Sequence, residues 1–383
     1  MNIMILGSDG YLGWPMTMRL ANLNHNVLAV DNYYRRLIAK ETDSEALIEG
    51  PNLKRRQKLF ENKFSNSFEI KIGDCTDYYF MSNMIKKFMP DVVIHFAEQP
   101  SAPYSMIDYF SAKKTFDNNL NSTFSLIWAI LENKPDCHII KLGTMGEYGT
   151  PNIDIEEGWL DINHKGRSQK FLYPRQASSL YHTTKVLDTD LLWFYVRAYG
   201  LKVTDLMQGP VYGLFTDESR VNDEFLPNFH YDDIFGTLVN RLITQAVAGI
   251  PLTVYGEGGQ TRGYINLSDT LKCIELSILN PPKASELKIM NQFTEQFTVN
   301  EIAEKVKLVS EKKGRKCEIK KIKNPRKEME NHYYNAIHSN FSQLGLKPNL
   351  MTEDILSEIF DKVMERKELI NSEIALPRVR WNK

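Results

Sequence analysis

Residues 1–13 read Met-Asn-Ile-Met-Ile-Leu-Gly-Ser-Asp-Gly-Tyr-Leu-Gly, and that stretch decides the fold. An apolar run from Asn2 to Leu6 gives way at once to Gly7, Gly10 and Gly13, then to an amphipathic stretch from Trp14 to Leu23. Strand, glycine turn and helix in that order bring free helix N–H groups beside a backbone that small residues leave open, an arrangement suited to a pyrophosphate. Asp31 ends the next strand about 20 residues downstream, where a carboxylate accepts hydrogen bonds from ribose hydroxyls and repels a 2′-phosphate. NAD rather than NADP is therefore expected, with contacts from Gly7, Asp9, Gly10, Tyr11, Leu12, Gly13, Asp31 and Asn32. Arg35 and Arg36 bear on that choice, because an Arg nearby can accommodate a 2′-phosphate. Asp74 and Cys75 follow the third strand, and Asp74 either meets the adenine amino group or caps a helix.

Outward from this motif, short apolar runs alternate with longer amphipathic ones. Strands are expected at Asn26–Val30, Phe68–Ile72, Asp91–Phe96 and Ile139–Leu142, with Lys202–Leu206 closing the sheet. Helices are expected at Trp14–Leu23, Tyr78–Phe88 and Asn119–Leu131. The pattern is that of an α/β doubly wound parallel sheet of the Rossmann type. After residue 206 the texture turns to Gly- and Pro-punctuated loops. Residues 1–206 are read as the NAD-binding domain and 207–383 mainly as a smaller substrate-binding lobe, some segments of which return to the first.

With 383 residues, 42% hydrophobic and 25% charged, the chain has the composition of an ordinary globular protein. A net charge of −1 lacks the basic excess of a nucleic-acid binder. Residues 305–327 hold eleven Lys or Arg, but acidic and apolar residues interleave with them, as on a solvated helix face. Cys75, Cys137, Cys273 and Cys317 lie far apart, with neither metal-ligand nor disulfide spacing. No apolar run approaches the roughly 20 residues that cross a bilayer, and no export signal opens the chain. A cytoplasmic protein with reduced thiols, no metal and no membrane partner is expected.

Tyr181 and Lys185 stand one helical turn apart on a shared face. An ammonium nearby favours a phenolate, which makes the tyrosine a base. Tyr109 and Lys113 have the same spacing, so position separates the pairs. Thr144 lies just beyond the Ile139–Leu142 strand, at the carboxyl edge where open α/β sheets bind ligands, and completes an alcohol-activating triad with Tyr181 and Lys185.

These features together resemble the extended short-chain dehydrogenase/reductase family acting on nucleotide sugars. Five longer stretches (95–108, 141–158, 252–264, 291–297 and 324–336) resemble one branch of it, whose members convert UDP-glucose and sulfite into UDP-sulfoquinovose with bound NAD. The resemblance implies C4 oxidation by Tyr181, Thr144 and Lys185, loss of water across C5 and C6, sulfite addition at C6 and re-reduction at C4. It extends the cofactor contacts to Phe96, Ala97, Asn119, Gln208 and Val211, besides Tyr181 and Lys185. It implies substrate contacts at Gln99, Ser101, Thr144, Met145, Arg241, Thr253, Tyr255, Gln260, Arg262 and Arg326, the arginines gripping the diphosphate. Dehydratases carry an Asp-Glu pair after the triad threonine, where this chain has Met145 and Gly146. Glu147 and His182 are the candidates for moving protons during elimination, although Glu147 reads equally as a carboxylate bonded to nearby backbone. Pro100 departs from the plant-type pattern, which has Arg there, and leaves Gln99 and Ser101 as polar candidates on the sulfite side. Residues 149–176, with His164, Arg167 and Arg175, are expected to form a lid. A homodimer is typical of the family. The alternatives are a UDP-sugar 4-epimerase or 4,6-dehydratase and, more remotely, a non-catalytic NAD-sensing module.

Overall fold

The computed structural model describes residues 1–326 and 332–381. Lys327 of the basic run and residues 327–331 of the last quoted stretch lie outside the described residues. The first part of the chain forms β1 (Asn2–Leu6), α1 (Gly13–Asn22), β2 (Asn26–Asp31), α2 (Tyr34–Glu41), α3 (Leu53–Lys63), β3 (Glu69–Ile72), α4 (Tyr78–Phe88), β4 (Val92–His95), α5 (Tyr109–Asn133) and β5 (His138–Thr144). A hairpin, β6 (Trp159–His164) and β7 (Arg167–Leu172), precedes α6 (Leu180–Tyr199) and β8 (Lys202–Gln208). Then come β9 (Val211–Tyr212), α7 (Leu238–Ala248), β10 (Leu252–Tyr255), β11 (Thr261–Asn266), α8 (Leu267–Leu279), β12 (Glu286–Gln292), β13 (Glu295–Thr298), α9 (Val299–Lys312), β14 (Ile319–Ile322), α10 (Asn340–Gln343) and α11 (Glu353–Met364).

The main sheet runs β12-β8-β5-β4-β1-β2-β3, with every pair parallel. Strand order reverses between β1 and β4, which opens a crevice at their carboxyl ends. β1, β2 and β4 are almost wholly buried, as strands covered on both faces must be. The β8 segment does not close the sheet as expected. β12 pairs outside it in register, Glu286 to Lys202 and Gln292 to Gln208. Its polar residues hid it: Asn291 and Gln292 are buried, yet Asn291 accepts from Tyr148 Oη at 3.0 Å and donates to the Ile337 carbonyl at 2.7 Å.

Helix starts follow local capping chemistry. Asp77 accepts from Tyr79 N–H at 2.9 Å to open α4, and Asp108 accepts from Ser111 N–H at 2.8 Å to open α5. α5 thus begins ten residues before the expected Asn119, because Tyr109 and Phe110 in its first turn are exposed and add nothing to the apolar periodicity. The second lobe packs α7, α9 and α11 around Leu242, Val247, Ile302, Val306, Ile359 and Phe360, while α8 packs instead with α1 against the main sheet.

The hairpin β6–β7 packs against α6 and borders neither cavity. Trp159 meets Trp193 of α6 edge to face at 5.1 Å, and none of residues 149–176 lines the cavities described below. His164 and Arg167 are exposed, and Arg175 turns inward, 3.8 Å from Glu147.

Candidate active site

The crevice beyond β1 and β4 holds a cavity of about 390 Å³. Its floor is the first glycine turn. Gly7 has φ +85°, and a Cβ there would stand 2.7 Å from the Phe96 carbonyl carbon, while one at Gly13 would stand 2.0 Å from the Gly7 oxygen. No side chain caps α1 and its first turn holds no acidic residue, so the positive end of its dipole faces the cavity without a protein counter-charge. These features fit NAD. The expected cofactor contacts line this cavity except for Arg36, Asn119 and Lys185. Arg36 is bound by Asp9 at 2.6 and 2.8 Å and by Glu49 at 2.7 Å, which also removes it as a partner for a 2′-phosphate. Asn119 is wholly buried, accepting from Gln99 N–H at 2.8 Å and donating to Thr184 Oγ1 at 3.0 Å, and so shapes the wall from behind. Arg35 does line the cavity and packs over the Phe235 ring at 4.8 Å.

Asp31 accepts from Asp9 N–H at 2.8 Å and from Tyr33 N–H at 2.6 Å. Burial, then the neighbouring Asp9, push its carboxyl up to about 6. A value above the ordinary 3.8 means that Asp31 favours the ligand-free fold at low pH, and that this contribution is lost as pH rises through about 6. Hydrogen bonds from ribose hydroxyls favour the ionised form and oppose that shift. NAD binding is therefore expected to release a proton near pH 5.5 and to tighten as the pH rises toward about 7. Calorimetry in two buffers of different ionisation enthalpy measures this, and equal apparent enthalpies would remove Asp31 from the site.

Thr144 ends β5 and Ser179 caps α6, accepting from His182 N–H at 3.2 Å, so Thr144, Tyr181 and His182 converge on the same cavity. Lys185 does not line it. Its ammonium pairs with Glu98 at 2.5 Å, and both side chains are nearly inaccessible. Burial works against the Lys185 charge, but Glu98 outweighs it and holds the pKa above the ordinary lysine value. Burial and then Glu98 push the Tyr181 phenol well above its ordinary range. Asp188, also buried, is pushed well above the carboxylate range by burial and then by Glu98. Glu98 was missed in the sequence, although an acidic residue just beyond the carboxyl end of β4 is a legible signal.

His182 lies next to Tyr181, ring centroids 5.2 Å apart, and both reach the cavity because it wraps around the first turn of α6. Burial, then Arg262 and Arg326, lower its pKa to about 3, so the ring is neutral at working pH. Its Nδ1 is 3.0 Å from Ser179 Oγ, and its Nε2 would be 2.4 Å from a Cβ at Gly146. Glu147 does not reach the cavity. It is wholly buried, accepting from Lys141 Nζ and Thr144 N–H at 3.2 Å each and from Thr189 Oγ1 at 3.2 Å. Tyr109, of the other Tyr-Lys pair, is exposed, and Lys113 pairs with Asp117 on the outside of α5.

A second cavity, of about 260 Å³, shares Pro103, Pro210, Asp233, Gly236, Thr237 and Arg326 with the first. Arg241, Tyr255, Gln260 and Arg262 line it. Arg241 lies over the Tyr255 ring at 4.3 Å, and Arg262 donates to the Thr261 carbonyl at 2.8 Å. Several expected substrate contacts are occupied internally instead. Thr253 Oγ1 accepts from Arg241 and from Gln245 Nε2 at 2.8 Å, and so props Arg241 from behind. The Gln99 side chain is occupied by Ser101 and Thr115, and Ser101 Oγ donates to the Ile234 carbonyl and accepts from Tyr104 N–H. Both border the first cavity but are buried with their polar groups engaged. Met145 is buried in the core.

A family model described as the NAD dependent epimerase/dehydratase family matches residues 3–291. The chain is 44% identical over 381 residues to a chloroplastic UDP-sulfoquinovose synthase of Spinacia oleracea, covering 100% of this chain and 79% of that one. It is 42% identical over 386 residues to a UDP-sulfoquinovose synthase of Sulfolobus acidocaldarius, covering 100% and 98%. Among solved structures it resembles a UDP-glucose 4-epimerase of Bifidobacterium longum in complex with NAD+ and UDP, with a TM-score of 0.70 and 20% identity over 96% of this chain and 98% of that one.

Proposed function

The chain belongs to the NAD-dependent epimerase/dehydratase family and, within it, to the UDP-sulfoquinovose synthases, and from that membership we propose that it joins UDP-glucose and sulfite into UDP-sulfoquinovose. The observation that carries the reading in the fold itself is the shared wall. Arg326 borders both cavities, so a nucleotide sugar whose diphosphate meets Arg262 and Arg326 extends its hexose toward Thr144, Tyr181 and His182.

The glycine turn and Asp31 would hold NAD in the first cavity, where it would supply a reversible hydride acceptor for the sugar C4. Tyr181 removes the proton of the C4 hydroxyl, Thr144 holds that oxygen, and Tyr181 returns the proton at the end of the cycle. Because Lys185 and Glu98 neutralise each other, the phenol keeps its proton until further positive charge enters the site. The ketone at C4 acidifies C5–H, and His182, neutral and hydrogen-bonding, serves the C6 oxygen as it departs with the C5 proton as water. Sulfite sulfur then adds at C6 of the conjugated double bond and C5 regains a proton, so no net oxidation occurs.

Mass spectrometry of the product from UDP-glucose and isotope-labelled sulfite tests this. A UDP-sugar bearing the labelled sulfonate is expected only when sulfite is present. UDP-galactose, or a 4-keto-6-deoxy sugar, would turn the assignment toward epimerase or dehydratase.

The same proposal includes a homodimer in the cytoplasm. Phe124 and Trp128 of α5 and Phe194, Tyr195 and Tyr199 of α6 form a continuous aromatic face, of which Phe124, Phe194 and Tyr199 are exposed, and a second copy of the chain would cover it. Sedimentation equilibrium is expected to give a dimer that Phe194→Asp converts to monomer; a wild-type monomer would reject it. Among the described residues no helix is long and apolar enough to cross a membrane, and all four cysteines are free, which suits a reducing compartment.

A further inference from the structure

We propose that the C-terminal segment Pro377–Trp381 is part of the nucleotide site: a strap that sets Trp381 against Arg326 and completes the wall of the second cavity around a nucleoside diphosphate. The inference deepens the proposed function and rests on its reading of that cavity as the UDP site.

The chain enters the strap from the lobe core, where Ile374 and Ala375 are buried and Gln245 Nε2 donates to the Ala375 carbonyl at 2.9 Å. It then crosses the cavity, tied at three places. Arg378 and Val379 N–H groups both donate to Asp233 Oδ2, at 2.6 and 2.8 Å, and Arg378 Nε donates to Asp233 Oδ1 at 3.0 Å. Arg378 Nη1 reaches the Thr42 and Asp43 carbonyls at 2.9 and 3.1 Å, and its Nη2 reaches Ser44 Oγ at 2.7 Å, all in the loop after α2. Trp381 N–H donates to the Pro325 carbonyl at 2.9 Å, beside Arg326.

These ties matter for binding because of what they hold. Asp233 borders both cavities, and Pro377, Val379 and Trp381 line the second one together with Arg262 and Arg326. The Arg326 guanidinium carbon lies 5.6 Å from the centre of the Trp381 ring, a cation–π contact that orients the guanidinium. A latch with a purely structural role would bury its apolar groups, as Ile374 and Ala375 do. Val379 does pack on Ile38, Tyr104 and Ile234, but Trp381 is only half-buried and faces the cavity. A flat indole beside two guanidinium groups provides a stacking surface for a base and charge for a diphosphate.

The test is calorimetric titration of UDP, with NAD as control, into the full-length protein and its Trp381→Ala and Trp381→Phe variants. Trp381→Ala is expected to weaken UDP binding about tenfold, Trp381→Phe to restore most of it, and NAD affinity to stay within about twofold in both. UDP affinity unchanged in Trp381→Ala would overturn the strap, and so would a parallel loss of NAD binding, which marks a general fold defect. Wild-type protein that binds NAD but no UDP would overturn both the strap and the reading of the cavity beneath it.

Discussion

Replacing Tyr181 by Phe is expected to lower turnover about a thousandfold while leaving NAD and UDP affinities within a few-fold of wild type. The substitution removes one oxygen and keeps the ring that packs beside His182, 5.2 Å away. No neighbour can replace the lost group. His182 is held neutral, with a pKa lowered to about 3 by burial and by Arg262 and Arg326, so its imidazole is a very weak base. Glu147 is sealed among Lys141, Thr144 and Thr189. Glu98 is paired with Lys185. A steady-state assay of UDP-sugar conversion, with both affinities measured separately, checks the outcome. A variant keeping more than about a tenth of wild-type turnover would require another base and remove Tyr181 from the chemistry.

The second large effect concerns a residue that touches no ligand. Lys141 is wholly buried on β5, its ammonium 3.2 Å from Glu147, 3.3 Å from Asp205, 2.7 Å from Thr189 Oγ1 and 3.0 Å from the Lys185 carbonyl. Lys141→Met keeps most of the side-chain length and removes the charge. Glu147 and Asp205 then keep only Arg175, 3.8 Å from Glu147, as a nearby cation, and breaking a buried pair in this way costs about 3–5 kcal/mol. A clear fall in melting temperature is expected, with loss of activity, since Glu147 also holds the Thr144 N–H that leads into the active site. Adding Glu147→Gln should recover part of the stability by removing one of the stranded charges. A melting curve for Lys141→Met that overlays the wild type would show that the network is not needed.

What could be read in advance follows the range of the interactions involved. Gly7, Gly10, Gly13 and Asp31 act over a single β-α-β unit, and so do the strand and helix periods around them, so the doubly wound sheet and its cofactor cradle were legible. Partners brought together from distant segments were not. Glu98 meets Lys185 across 87 positions, and Thr253 Oγ1 accepts from Arg241 of the preceding helix. Gln99 and Ser101 look polar and available as letters, but their hydrogen bonds close on each other and on Thr115 and Ile234. The 149–176 segment lies between Thr144 and Tyr181 in sequence, yet Trp159 packs on Trp193 of α6, a contact that residue spacing does not reveal.

The placement of β12 has a consequence for synthesis on the ribosome. By the time Gln208 has emerged, six strands of the main sheet exist, and β8 forms an open edge with unpaired backbone groups. The strand that covers that edge arrives only after β9, α7, β10, β11 and α8 have been translated. A nascent chain of this protein therefore carries a sticky border through much of its elongation, which is the stage at which a holding chaperone has most to shield.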